Sequence, residues 1–95
     1  IPSNVTSIGS NAFTNCYGLA SVTIPSKVVS IGNSAFTNCP GIANYHVLPT
    51  DVPTLGTNVF SGILTDCIIY VPSAKLTDYQ TDTNWSSLSS KMVGE

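Results

Sequence analysis

One histidine, three cysteines and five carboxylates are the residues of this 95-residue chain able to ligate a metal or assist a nucleophile. They are His46, Cys16, Cys39, Cys67, Asp51, Asp66, Asp78, Asp82 and Glu95. A zinc site draws four Cys or His ligands from close-spaced pairs. Neither Asn15-Cys16-Tyr17-Gly18 nor Asn38-Cys39-Pro40-Gly41 is such a pair, so no metal ligand is assigned. A serine relay needs an acid to orient the imidazole. Asp51 is separated from His46 by a proline-bounded turn, and the other carboxylates are scattered through turns and the C-terminal segment. No carboxylate is therefore expected beside His46, no catalytic residue is assigned, and nothing selects a glycosidase-like pair. The stretches around Gly9 and Gly32 each hold one glycine and no Lys-Ser/Thr ending, so no phosphate cradle and no cofactor is expected.

The composition narrows the partners. Charged residues make up 8% of the chain, against roughly 25% in an average soluble domain. Ser, Thr and Asn carry the burden of solubility. A formal net charge of -2 gives no footprint for a phosphate backbone, so nucleic acid is not an expected partner. No apolar run approaches the roughly 20 residues of a membrane span, and no membrane insertion is expected. The chain opens mid-pattern and without Met, which reads as a piece of a longer array. Asn4-Val5-Thr6 and Asn84-Trp85-Ser86 match the glycosylation triplet, which matters only in a eukaryotic secretory pathway.

What organises these residues is a repeat. Residues 1–23 laid over 24–46 agree at Ile, Pro, Ser, Val, Ser, Ile, Gly, Ala, Phe, Thr, Asn, Cys, Gly and Ala. A worn third unit follows at a spacing of 24, with Leu48-Pro49, Val52, Leu55-Gly56 and Val59-Phe60 answering Ile24-Pro25, Val28, Ile31-Gly32 and Ala35-Phe36. One extra residue lies between Cys39 and Leu48. Units this small bury their apolar side only against their neighbours, and a period in the twenties marks a leucine-rich repeat solenoid. The expected fold has a short parallel β-sheet on one side, turns and irregular or 3-10 segments on the other, and a small C-terminal helical cap. Repeats of 23–24 residues span 1–72 and the capping segment spans 73–95.

Within a unit, Val22 and Ile24 alternate with Ser21 and Thr23, so the first pair faces inward and the second outward from a strand. Pro25 ends the strand. Gly32 relieves a tight backbone position. Equivalent residues lie one strand spacing apart, about 4.8 Å, which predicts a column of Phe13, Phe36 and Phe60 and another of Cys16 and Cys39. That spacing exceeds the roughly 3.8 Å between the Cβ atoms of a disulfide, so reduced thiols are expected, with Cys67 in a partly exposed loop. Asn15 and Asn38 are expected to form a polar ladder with nearby backbone groups. Ser73 is expected to cap a short helix over 73–79, with Leu76, Tyr79, Trp85, Leu88 and Met92 covering the last turn.

The outward positions form two columns, Ser21, Asn44 and Ile68, and beside them Thr23, His46 and Tyr70. The extra residue threatens to slip the middle members by one place. These six residues are the candidate partner-binding face, because small hydroxyls give way to an imidazole, a phenol and an isoleucine toward the cap. At the other end Ile1 begins on a repeat boundary and leaves a strand edge open to end-to-end self-association.

The strings Ile1-Pro2-Ser3 through Cys16 and Ile24-Pro25-Ser26 through Cys39, with Ile-Pro, Ile-Gly, Ala-Phe and Cys in register, resemble the BspA-type leucine-rich repeats. The segment from Ile69 to Trp85 resembles their terminal cap. Val59 in place of Ala, Leu55 in place of Ile, and the missing Cys after Phe60 depart from the pattern. The resemblance implies a bacterial cell-surface or secreted protein, an extracellular location, and adhesion or attachment to a host or neighbouring-cell protein or glycan. It implies no catalytic constellation. Two other readings stay open: spacer repeats that bind nothing, and a small hydrolase, for which no motif is present.

Overall fold

The computed structural model describes all residues, 1–95. Its chain coils with three long strands, β2 (Ser21–Ile24), β4 (Asn44–Val47) and β6 (Ile68–Val71), and three two-residue strands, β1 (Ser7–Ile8), β3 (Ser30–Ile31) and β5 (Thr54–Leu55). All pairings are parallel. The chain is a leucine-rich repeat solenoid with a helical cap. Beyond the expected sheet, the β1, β3 and β5 positions form a second, three-stranded sheet on a flank read from sequence as turns.

The long strands alternate as the residues dictate. Val22, Ile24, Tyr45, Val47, Ile69 and Val71 are buried, whereas the residues between them reach solvent wholly or in part. Each strand stops near a proline, Pro25, Pro49 or Pro72, which has no N–H to continue the ladder.

The inserted residue does not disturb the strands. Ile24 pairs with Val47 rather than standing over Leu48, and Leu48 is expelled to solvent at 41% exposure. Its N–H still donates to the Ile24 carbonyl at 3.0 Å. The possible slip of the outward columns therefore does not occur.

Opposite the long sheet, Phe13, Phe36 and Phe60 stack as a column with centroids 5.3 and 5.8 Å apart and ring planes within 1° and 5° of parallel. Tyr45 meets Phe36 and Phe60 edge-on at 5.4 and 5.1 Å, tying the two sides of the core together. Each fully buried aromatic of this kind contributes about 1.5–3 kcal/mol of transfer free energy.

The turns beneath the rings repeat a backbone device. Asn11, Asn15, Ser34, Asn38, Asn58 and Gly62 all have φ between 56° and 79°, two per coil at matching positions. Asparagine and glycine tolerate this left-handed region better than most residues. The reversals aim alternate amides along the stack, so Asn11, Phe13 and Asn15 donate to the carbonyls of Asn33, Ala35 and Thr37 at 2.9, 2.8 and 2.9 Å. Asn15 and Asn38 thus act through their backbones, and their side chains form no ladder. Gly32 has another reason: a Cβ there would lie 2.5 Å from the Ser10 nitrogen of the preceding coil.

The cap departs from expectation in two respects. Ser73 is not a cap residue; Ser73–Lys75 is a 3-10 turn flowing into helix α1 (Leu76–Thr81), and neither start has a side-chain cap. After a second 3-10 segment, Ser86–Lys91, the chain returns as β7 (Met92–Gly94) and pairs parallel with β6. Trp85 and Tyr79 are fully buried and pack edge-on to one another, with Trp85 against Phe60 at 5.7 Å.

Candidate functional site

The strand register sets the candidate face. Ser21, Asn44 and Ile68 lie in one row across β2, β4 and β6, and Thr23, His46 and Tyr70 in the next. Ser21 Oγ donates to Asn44 Oδ1 at 2.7 Å. The His46 ring stacks on Tyr70 with centroids 4.9 Å apart and planes 11° from parallel. Both rings stand half-buried on a flat sheet, with no concavity around them.

Two members of this surface were not foreseen. β7 extends the second row with Val93, which pairs with Tyr70 and is 45% exposed. Directly after it, Glu95 donates its N–H to the Val71 carbonyl at 2.9 Å, and its carboxylate oxygens lie 3.1 and 3.2 Å from His46 Nδ1. The expectation that no acid stands beside His46 is therefore overturned. Glu95 is distant in sequence and outside the repeat, so only the return of β7 brings it there. The face consequently grades from hydroxyls and an amide at β2, through an imidazole–carboxylate pair, to Ile68, Tyr70 and Val93.

An imidazole with a carboxylate on Nδ1 resembles two members of a nucleophile-activating relay. The third is not assembled: no hydroxyl is hydrogen-bonded to His46, and Ser21 is engaged with Asn44. No group of three or more His, Cys, Asp or Glu residues converges for a metal ion. No helix is long and apolar enough to cross a membrane.

All three cysteines are free. Cys39 lies in the core, its thiol donating to the Phe13 carbonyl at 3.0 Å, and Cys16 is partly covered. Cys67 is 2% exposed, which corrects the expectation of a partly exposed loop thiol. It directly precedes β6, on the inward side of the alternation. Burial pushes the Cys39 and Cys67 thiols above their ordinary range; a hydrogen bond with the Cys16 backbone offsets part of the Cys39 shift while the Cys16 charge adds to it, and the Lys91 charge offsets part of the Cys67 shift.

The flat face, the stacked turns and the absence of a reactive cluster agree with what a comparison of the sequence with protein families returns. The model described as the BspA type leucine rich repeat region matches residues 1–89, in six copies. The chain belongs to this family. Among curated proteins, no match is found. In this BspA-type repeat chain no catalytic motif is found and no metal-binding cluster is assembled.

Proposed function

We propose that the outer face of the four-stranded sheet binds a protein or glycan, and that the chain serves adhesion or attachment as part of a bacterial cell-surface or secreted protein, outside the cell. The observation that carries this reading is the arrangement of His46. Its imidazole is held by the Tyr70 ring and the Glu95 carboxylate at once. Holding a side chain in place before contact lowers the entropic cost of ordering it on binding. Aromatic anchors are the groups that most often dominate an interface. Tyr70, flanked by Ile68 and Val93, supplies an apolar centre, and Ser21, Thr23 and Asn44 supply a polar border.

The test is a screen of the chain against extracellular-matrix proteins and glycans, followed by H46A and Y70A. Affinity for the captured partner should fall by about tenfold or more for Tyr70→Ala. Unchanged affinity in both variants, with the fold intact, removes the face from the interaction. Absence of any partner favours the spacer reading.

The N-terminal end is proposed as a second contact, between copies of the chain. An open hollow of about 230 Å³ lies there, lined by Ile1, Val5, Ile8 and Phe13 among others, beside the free edges of β1 and β2. Light scattering that reports a strict monomer at high concentration would remove this contact.

A further inference from the structure

We infer that the groove between the last coil and the cap binds an extended peptide segment, beginning with glycine, as one more turn of the stack. This site lies on the opposite flank from the sheet face and does not depend on it.

The junctions between coils define what the groove lacks. In the second junction Ser34, Phe36 and Asn38 donate to the carbonyls of Thr57, Val59 and Ser61 at 2.9, 3.0 and 2.9 Å, repeating the first. In return Gly32 N–H donates to Ile8 O at 2.7 Å, and Gly56 N–H to Ile31 O at 2.9 Å. One coil further on, the corresponding donors are the amides of Asn58, Phe60 and Gly62, and none has an acceptor in the protein. The corresponding acceptor is the carbonyl of Leu55, on β5 at the edge of its sheet.

The cap replaces only part of the missing coil. Tyr79 Oη donates to the Pro49 carbonyl at 2.5 Å and Trp85 Nε1 to the Pro53 carbonyl at 2.8 Å. Beyond Pro53 the cap stands off and leaves a groove of about 350 Å³, with Leu55, Asn58 and Phe60 on one wall and Asn84, Ser87 and Leu88 on the other. That volume falls at the lower end of ligand pockets, enough for a short stretch of chain with its ends in solvent. Unpaired amides in line are a template for main-chain recognition, as at a sheet edge.

The same registry specifies the occupant. Its first residue donates N–H to Leu55 O, and the carbonyls of its second, fourth and sixth residues accept from Asn58, Phe60 and Gly62. The first residue corresponds to Gly32 and Gly56, where a Cβ would run into the preceding coil's backbone or side chain, so glycine is required. The fourth corresponds to Ala35 and Val59, both buried, and must be small and apolar. The fifth corresponds to Phe36 and Phe60, but the Phe60 ring is already met by Trp85, so a second aromatic is excluded there.

The probe is acetyl-Gly-Asn-Ser-Ala-Ala-Thr-amide, titrated into the ¹⁵N-labelled chain. The amide protons of Asn58, Phe60 and Gly62 are expected to shift along one binding isotherm. A probe with valine first should bind about tenfold more weakly or worse, as should a probe whose fourth-residue carbonyl belongs to an ester. Ser87→Trp, an exposed change on the far wall, should abolish the shifts; if it perturbs folding, the two altered probes carry the test alone. The proposal is overturned if the three amides stay unmoved at millimolar probe, if the valine probe binds equally, or if shifts gather on Thr23, His46 and Tyr70. Shifts of the same amides with protein concentration alone would put a second copy in the groove and overturn it as well.

Discussion

The indole N–H of Trp85 donates to the Pro53 carbonyl at 2.8 Å, in the place where a further coil would bring a backbone amide. The equivalent carbonyl one coil earlier, that of Val29, accepts the N–H of Thr54 at 3.1 Å. A side chain thus ends the stack by imitating the next strand, whereas Tyr79 serves the carbonyl of Pro49, whose counterparts Pro2 and Pro25 accept from Val5 and Val28 of their own coils. Both aromatics cover the Phe60 end of the core while leaving no buried side-chain polar atom unpaired.

Removing one of these donors should cost more than its size suggests. Tyr79→Phe leaves the Pro49 carbonyl buried without its partner, a loss of about 1–3 kcal/mol. Urea denaturation should show a lower midpoint with an unchanged slope.

Tyr79 and Tyr45 also predict the alkaline limit of the fold. Burial, before any nearby charge, pushes both phenols above the ordinary value of about 10. The folded chain keeps these protons at a pH where the unfolded chain has released them, so stability declines as pH rises past about 10. Below that value these groups contribute no pH dependence. The melting temperature should therefore fall above about pH 10, and Tyr79→Phe should make the fall shallower by up to about 1.4 kcal/mol per pH unit.

Two glycines of the same Ile-Gly pair should respond oppositely to alanine. At Gly32 a Cβ would collide with Ser10 backbone, whereas at Gly9 nothing lies within 4 Å. Gly32→Ala should destabilise by about 2 kcal/mol or more. Gly9→Ala should be neutral or stabilise by up to about 1 kcal/mol through the unfolded chain. Thermal melts of the two variants check the contrast.

The phenylalanine column should weaken from its middle outward. Phe36 is packed on both ring faces and 1% exposed, whereas Phe13 is covered on one face only. Phe36→Ala should cost about 3–5 kcal/mol, enough to unfold a domain of this size. Phe13→Ala should cost clearly less, as measured by denaturant unfolding.

Thiol labelling at neutral pH should distinguish the cysteines. Cys39 and Cys67 are buried and their thiols are shifted toward the protonated form, which does not react. Cys16 should react first, and the other two only as fast as the fold opens. Mass spectrometry of partly labelled protein reads the order directly.

The coils and the ring column were legible because identical residues recur at 23 and 24 positions, and stacking brings like over like. The two-residue strands were not, because Ser30 and Ile31 are too few to show an alternation. Leu48 misled the alignment: it precedes a proline as Ile24 does, yet Val47 takes the buried place. Glu95 was illegible for a different reason. Met92–Gly94 has no counterpart in the repeats, and its pairing with β6 rests on the path of the whole cap. The six residues of the candidate face were readable from strand alternation, but the carboxylate and the valine that complete their surroundings were not.

The rows of amide-to-carbonyl bonds between turns point along the axis of the stack. Tension applied along that axis loads one row at a time, in series, whereas tension along the strands loads every row together. A tether under axial load would therefore yield turn by turn, each freed turn paying out roughly 80 Å of extended chain.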